Sequence, residues 1–169
     1  RGLWADRIGE RSVLVIGTLG YGVHLADAHD GRVLGFGMPR SAFQRNARSL
    51  VNAMVRDGQG TYWMGSAAGL YSWRSDRPWV PRTKSAITSG QDNAGLLEPE
   101  EQISALLLTG DTLWAVTRSG LLFSVVKEHV TRHLPSAHLR SAMHGLTADH
   151  TGLLWITTDN GLLRFDPKA

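Results

Sequence analysis

The sequence predicts an all-β fold: a β-propeller made of four-stranded antiparallel blades, about four blades in number, forming a partial propeller. Three observations predict it, namely an internal repeat, closely spaced turn signals, and a repeat length that fits one blade. Of the 169 residues, 19 are glycine, 42% are hydrophobic and 20% are charged. This composition is typical of a soluble globular chain, and its glycine content suits the many tight turns of a β-protein.

Three segments of the chain share one pattern of apolar residues, turn and tryptophan. They are Val51–Trp73, Ile103–Val125 and Met143–Asp166. In each segment the tryptophan precedes a glycine by six residues, and a leucine follows that glycine. The three sets are Trp63, Gly69 and Leu70; Trp114, Gly120 and Leu121; and Trp155, Gly161 and Leu162. A weaker fourth copy, Ser12–Asp27, has Val15 in place of the tryptophan and Gly22 as its glycine.

The spacing of the copies fits propeller blades. The shared glycines are 47, 51 and 41 residues apart, and a four-stranded blade takes about 40–50 residues. Each copy predicts a first strand, a turn, a second strand bearing the tryptophan, and a third strand after the glycine. More polar fourth strands are predicted at Arg32–Gly37, Trp79–Arg82 and Val130–Leu134. Turns rich in glycine and threonine interrupt the chain too often for a helical repeat.

The predicted blades span approximately residues 1–37, 51–82, 103–134 and 143–169 of a single propeller portion, 1–169, with a connector at 83–102. The acidic cluster Glu98–Glu101 in the connector is interpreted as solvated loop. The last blade stops before a fourth strand, and the chain begins at Arg1 without an initiator methionine. We therefore expect a portion of a longer polypeptide. Ring closure with four blades, with a partner chain or with further blades stays open, and the last is favoured.

Charge and composition exclude several classes of partner. The formal net charge is +3, and the arginines are spread along the chain. Dispersed positive charge is typical of sheet edges that resist pairing, so no nucleic-acid partner is expected. The chain has no cysteine, which excludes disulfides and cysteine-rich metal sites. No stretch reaches the roughly 18 apolar residues of a membrane helix, so no membrane segment is predicted in this chain.

The best-preserved copy reads DHTGLLWITT from Asp149 to Thr158, followed by GLLRFD from Gly161 to Asp166. This pattern resembles the two-component regulator propeller family, and the resemblance covers the chain outside the connector. It implies a periplasmic sensor region of a bacterial signalling protein, of the hybrid histidine kinase or diguanylate cyclase type, whose output domain lies outside these residues. The family typically carries more blades in a ring than this sequence predicts.

A small ligand of a propeller binds at one mouth of the central channel, where loops between strands converge. Either the loops that join second to third strands or those that join outer to inner strands can line it, and the sequence does not decide which mouth is used. The former loops supply our candidates for ligand binding, which are Tyr21, Arg118, Asp159 and Asn160. An ordinary turn role is the competing interpretation of all four. We expect no cofactor, no metal and no catalytic residue. The expected partners are a small-molecule ligand and either a second copy of the chain or flanking blades of the same polypeptide.

Seven histidines suggest a metal site as an alternative. The densest group is His129, His133 and His138, but strand residues four apart are separated by roughly 13 Å, too far to share one ion. These histidines are therefore interpreted as part of an exposed polar outer strand. His144, on a first strand, is the one candidate base for an enzyme similar to streptogramin lyases, and the sequence identifies no partner for it.

Three functions are compatible with these observations. The leading one is a non-catalytic extracytoplasmic sensor, the second a protein-interaction scaffold, and the third a lyase or hydrolase of the propeller class. No phosphate-binding loop or nucleophile elbow supports the enzyme alternative. The turn Asp57–Gly60 resembles the Asp box of sialidase-like propellers, although its tryptophan lies one residue further on. Such a turn is structural and implies no activity.

Overall fold

The computed structural model describes residues 2–18, 22–36, 51–67, 69–74, 80–81, 101–127, 129–133 and 141–169. Throughout these residues the regular structure is β, and its fifteen strands form four antiparallel sheets. The predicted all-β class is thus confirmed. Of the predicted connector, Glu101 and Gln102 belong to the described part, and the remaining residues lie outside it.

Each sheet is a meander whose strands pair in chain order. The first contains β1 (Gly2–Ile8), β2 (Arg11–Gly17), β3 (Val23–Asp27) and β4 (Val33–Phe36). The second contains β5 (Val51–Arg56), β6 (Tyr62–Ser66), β7 (Gly69–Trp73) and β8 (Val80–Pro81). The third contains β9 (Ile103–Thr109), β10 (Thr112–Thr117), β11 (Leu122–Val126) and β12 (His129–His133). The fourth contains β13 (Met143–Ala148), β14 (Leu154–Thr158) and β15 (Gly161–Phe165). The three predicted fourth strands correspond to β4, β8 and β12.

The sheets stack in chain order, as the blades of a propeller do. Strand β5 packs against β1 and β2 of the first sheet, β9 against β5 and β6, and β13 against β9 and β10. No contact of similar extent joins the first and fourth sheets among the described strands. The described residues therefore form four successive blades of a propeller that is open between its first and last sheets.

In the second and third sheets, the tryptophan of the second strand fills the gap to the next sheet. Alternate residues of a strand face opposite sides, so Leu113 and Ala115 of β10 pack toward the second sheet while Trp114 and Val116 pack toward the fourth. Trp63 packs in the same way against the cluster that contains β9. Gly65, beside it, lets the sheets approach closely, because a Cβ atom there would lie 2.4 Å from the Ile103 side chain.

The first sheet has Val15 at the tryptophan position, and an aromatic ring from a neighbouring strand replaces it. Trp4 of β1 pairs directly opposite Val15 and packs into the cluster between the first two sheets. Its ring meets that of Tyr62 edge to face, with centroids 6.3 Å apart. Gly2 leaves the necessary space, because a Cβ atom there would lie 1.7 Å from the Trp4 ring.

A polar network also joins the first two sheets. The hydroxyl of the fully buried Tyr62 donates to Asp6 Oδ2 over 2.5 Å, and Arg56 Nε lies 3.2 Å from the same oxygen. Burial acts to raise the pKa of Asp6, but the Tyr62 hydrogen bond and the Arg56 charge hold it below its ordinary value. Burial and the Asp6 carboxylate raise the pKa of Tyr62 well above its ordinary value. The network therefore contains an ionised Asp6 and a neutral Tyr62 at neutral pH.

Two aspartate turns orient tryptophan rings. Asp57 Oδ1 accepts the N–H groups of Gln59 and Thr61, and Asp57 Oδ2 accepts the indole N–H of Trp63 over 3.0 Å. Asp149 repeats the arrangement with Trp155, over 2.8 Å. Hydrogen bonds from Thr151 and Trp155 hold the pKa of Asp149 well below its ordinary value. These bonds support the interpretation of the Asp-box-like turn as structural.

Candidate functional site

One end of the stack carries the turns between second and third strands. Two backbone hydrogen bonds tie these turns to the residues that precede the first strands. Arg118 N–H donates to the carbonyl of Gln102 over 3.0 Å, and Asp159 N–H donates to that of Ala142 over 3.1 Å. Because Gln102 precedes β9 and Ala142 precedes β13, Arg118 and Asp159 occupy equivalent positions one sheet apart. We call this end of the stack the mouth.

Three of the four candidate ligand-binding residues lie in the described part of the mouth. Arg118 is in the β10–β11 turn, and Asp159 and Asn160 form the β14–β15 turn. Tyr21 lies outside the described residues. In the turn beside Arg118, the Ser119 hydroxyl donates to the Glu101 carboxylate, and Thr117 Oγ1 lies 2.8 Å from Ser119 Oγ. The mouth thus presents cationic, anionic and neutral polar groups.

His144, for which the sequence identified no partner, is paired in the structure. Its Nε2 atom lies 2.5 Å from Asp159 Oδ1, and the two side chains are 39% and 61% exposed. The sequence did not identify this partner, because 15 residues of chain separate the two and only the β13–β14–β15 meander brings them together. The result is a solvent-accessible imidazole–carboxylate pair at the mouth.

His144 occupies a β-bulge that recurs in three sheets. The pairing of first and second strands shifts by one residue at Asn52, at Ser104 and at His144. A bulge leaves one residue outside the ladder and redirects its side chain. Asn52 Nδ2 donates to the carbonyl of Ile103 over 2.7 Å, and Ser104 Oγ donates to that of Met143 over 2.5 Å. The bulged residues form a row that we call the bulge row, and its first two members fasten one first strand to the next.

Sequence reasoning missed Asn52 and Ser104, although a signal for them exists. Each is a polar residue directly after the first apolar residue of a first strand, at the same repeat position as His144. Another polar group lies near this row, the hydroxyl of Ser141, which is buried and lacks a hydrogen-bond partner in the structure. The mouth therefore contains more hydrogen-bonding groups than the turns alone supply.

The interpretation of the outer-strand histidines needs correction at His133. This side chain is half-buried, with its ring centroid 5.1 Å from that of Trp114 and 5.3 Å from that of Phe165. Its Nε2 atom lies 2.8 Å from Ser124 Oγ. His129 is exposed at the other end of β12, and His138 lies outside the described residues. Among the residues that the structure describes, no three histidine, aspartate or glutamate side chains are grouped to hold a metal ion.

The environment of His133 predicts a pH dependence of stability. Burial lowers the pKa of His133, so the unfolded chain takes up a proton at about pH 6.5 while the folded protein stays neutral until lower pH. The free energy of unfolding is therefore expected to fall as the pH drops below about 6.5 and to stop falling from this cause below the folded pKa. Urea unfolding across this range measures the fall, and His133→Gln should reduce it. His129→Gln on the same strand is the control, and an equal reduction there would contradict the assignment.

Within the described ranges, no helix has the length and apolarity that a membrane span requires.

Comparison with known proteins identifies related folds. No protein-family model matches the chain, and no curated protein matches it. The extracellular domain of BT3049 from B. thetaiotaomicron, described as a hybrid two component system, is 22% identical with a TM-score of 0.69, over 99% of this chain and 21% of that chain. The extracellular domain of BT4673 from the same organism, described as a one component system, is 18% identical with a TM-score of 0.67, over 95% of this chain and 20% of that chain.

A designed protein has the same fold at a similar length. The computationally designed Ika4 is 14% identical with a TM-score of 0.58, over 96% of this chain and 88% of that chain. By contrast, the chain spans about a fifth of the two bacterial extracellular domains. At these identities the similarity shows the fold, and it confirms the predicted β-propeller class. The bacterial neighbours are also signalling proteins of the kind that the sequence resemblance implied.

Proposed function

We propose that the chain is part of a non-catalytic, extracytoplasmic sensor propeller of a bacterial two-component or cyclic-di-GMP signalling protein. The observation that carries the proposal is the stack of four sheets, which shares its fold with extracellular domains of signalling proteins. The regulator-propeller pattern around Trp155 supports the same role. A periplasmic location and a cytoplasmic output outside these residues belong to the proposal.

The mouth is the proposed ligand site, with Arg118, Asp159 and Asn160 as binding residues and Tyr21 in the equivalent loop of the first copy. The His144–Asp159 pair adds a hydrogen-bonding group that sequence reasoning did not assign to binding. Groups of both charges with several neutral donors and acceptors suit a small polar molecule that carries hydroxyl, carboxylate or ammonium groups. Backbone hydrogen bonds to neighbouring segments fix the main chain of both turns at Arg118 and Asp159, so binding need not order the backbone of these turns.

A thermal-shift screen tests the proposal. The probes are defined panels of neutral and acidic sugars, amino acids and dicarboxylates, added to the intact chain. A ligand that binds the folded state raises the Tm with its concentration. We expect one of these classes to do so, and Asp159→Asn and Arg118→Ala to remove most of the shift. Asp111→Asn, an exposed aspartate in the β9–β10 turn, is the matched control. Equal losses in Asp159→Asn and Asp111→Asn would contradict the assignment of the site.

A lyase-type enzyme is the second candidate function, because an imidazole held by a carboxylate is the arrangement of an oriented general base. The same binding experiment separates the two functions when the probe is recovered and its mass is determined. A sensor releases the compound unchanged. An enzyme converts it, and His144→Gln then abolishes the conversion while leaving some binding.

A further inference from the structure

The stack ends in two exposed sheet faces. The leading face is the side of the first sheet turned away from the second sheet, and it is defined by Leu3, Ala5, Leu14 and Ile16. The trailing face is the side of the fourth sheet turned away from the third, and it is defined by Trp155, Thr157, Leu162 and Arg164. Pairing places each set on one side, because directly opposed residues of neighbouring strands share a face.

Equivalent leucines in three successive sheets show that the trailing face lacks a covering sheet. Leu70 lies opposite Gly65, Leu122 opposite Val116 and Leu162 opposite Thr157, at the same place in three successive sheets. Leu70 and Leu122 are each 0% exposed, whereas Leu162 is 64% exposed. The first two are covered by the following sheet. The trailing face therefore carries, without a cover, the leucine position that is buried in the two preceding sheets.

The leading face lacks the preceding sheet that covers equivalent residues elsewhere in the chain. Ile16 of β2 corresponds in the repeat to Met64 and Ile156, which are each 0% exposed beneath the preceding sheet. Ile16 is only half-buried, and Leu3 on the adjacent β1 is 64% exposed. The leading face is thus the type of surface that packs onto a trailing face at every sheet-to-sheet junction within the chain.

The bulge row ends at the same open junction. Asn52 and Ser104 each bond to the first residue of the next first strand. His144 is the third member of the row, and no further first strand follows it in the described part of the chain. Its imidazole bonds to Asp159 instead. At the end of the fourth sheet, the apolar surface and the bulged residue that join successive sheets therefore both lack a following sheet among the described residues.

We propose that the trailing face of one copy of this chain packs on the leading face of a second copy, and that the reciprocal contact closes a ring of eight sheets. The contact continues the interface that already joins the four sheets of one copy. Propellers contain about four to eight blades, so two copies of four sheets reach the upper limit and a third copy would exceed it.

Positive charge on the two faces predicts the salt response. Arg7 on the first sheet and Arg164 on the fourth are exposed beside the apolar residues, and each copy carries a net charge of +3. Repulsion between the copies is screened by salt. Association through the apolar faces is therefore expected to strengthen as salt is added, whereas a contact made by ion pairs would weaken.

Light scattering coupled to size-exclusion chromatography tests the proposal on the full chain. We expect twice the protomer mass of 18.5 kDa at high protein concentration. Leu3→Asp and Leu162→Asp each place a carboxylate in both junctions of the ring and should weaken the dimer by roughly a hundredfold or more. Val126→Asp, at an exposed valine on the third sheet, is the matched control and should leave the mass unchanged. Circular dichroism establishes that each variant is folded.

A mixing experiment identifies the head-to-tail arrangement. A mixture of Leu3→Asp and Leu162→Asp proteins can form one junction from two unmodified faces, so it should recover part of the dimer that neither variant forms alone. If the two copies instead met through the same face of each, mixing the two variants would recover no dimer. A protomer mass at every concentration overturns the proposal. A series of larger assemblies overturns closure with two copies, and a dimer insensitive to both substitutions overturns the assigned faces.

Discussion

Replacing Trp114 with alanine is expected to lower the free energy of unfolding by about 3–5 kcal/mol. The side chain is 6% exposed and lies in the cluster that joins the third sheet to Met143, Leu154 and Ile156 of the fourth. Its indole N–H donates to Thr109 Oγ1 over 2.9 Å. The substitution removes the largest group in this gap and leaves a cavity between two sheets, and urea unfolding measures the loss.

Trp155→Ala is the matched control, because it changes the same residue at the same repeat position in the fourth sheet. Trp155 is half-buried on the trailing face and donates to Asp149. In the separated protomer its loss should cost about 1–2 kcal/mol, chiefly through the lost hydrogen bond and partial burial. Equal costs for the two tryptophans would show that filling the gap between sheets is not what makes Trp114 important.

The repeat was a sufficient guide to the second and third strands, because its apolar alternation reflects which side of each strand is buried. In the segment Ile103–Val125, the repeat predicts Leu121 as the shared leucine, and this assignment was wrong. The structure pairs Leu122 with Val116 instead, since the turn after Thr117 closes at Leu121 and lengthens the loop by one residue. An alignment of the repeats by residue type does not reveal a change of turn length within a hairpin.

The first strand of the first sheet was not identified by the repeat. Val15 lacks the volume of a tryptophan, and Trp4 supplies it from the paired strand. Such compensation depends on cross-strand neighbours, which a single sequence does not display. The same reason applies to the candidate site, where the turn residues could be named but the pairing of His144 with Asp159 depended on a bulge. The sequence alone does not say which side chain a bulged residue contacts.

Leu122→Ala is expected to cost about 2–5 kcal/mol of unfolding free energy. Leu122 is 0% exposed between the third and fourth sheets, so its removal leaves a cavity that rigid strands on both sides cannot fill. Leu70→Ala, at the equivalent position one sheet earlier, should cost a similar amount. Urea unfolding at low protein concentration gives both values for the separated protomer.

Leu162→Ala changes the same residue at the same register position and should cost no more than about 0.5 kcal/mol in the separated protomer. The difference arises because Leu162 is 64% exposed and loses few contacts on truncation. The same substitution should weaken association between copies, since it removes apolar surface from the proposed junction. A cost for Leu162→Ala equal to that for Leu122→Ala at low concentration would mean that the trailing face is already covered within one copy, and the open ring would then be wrong.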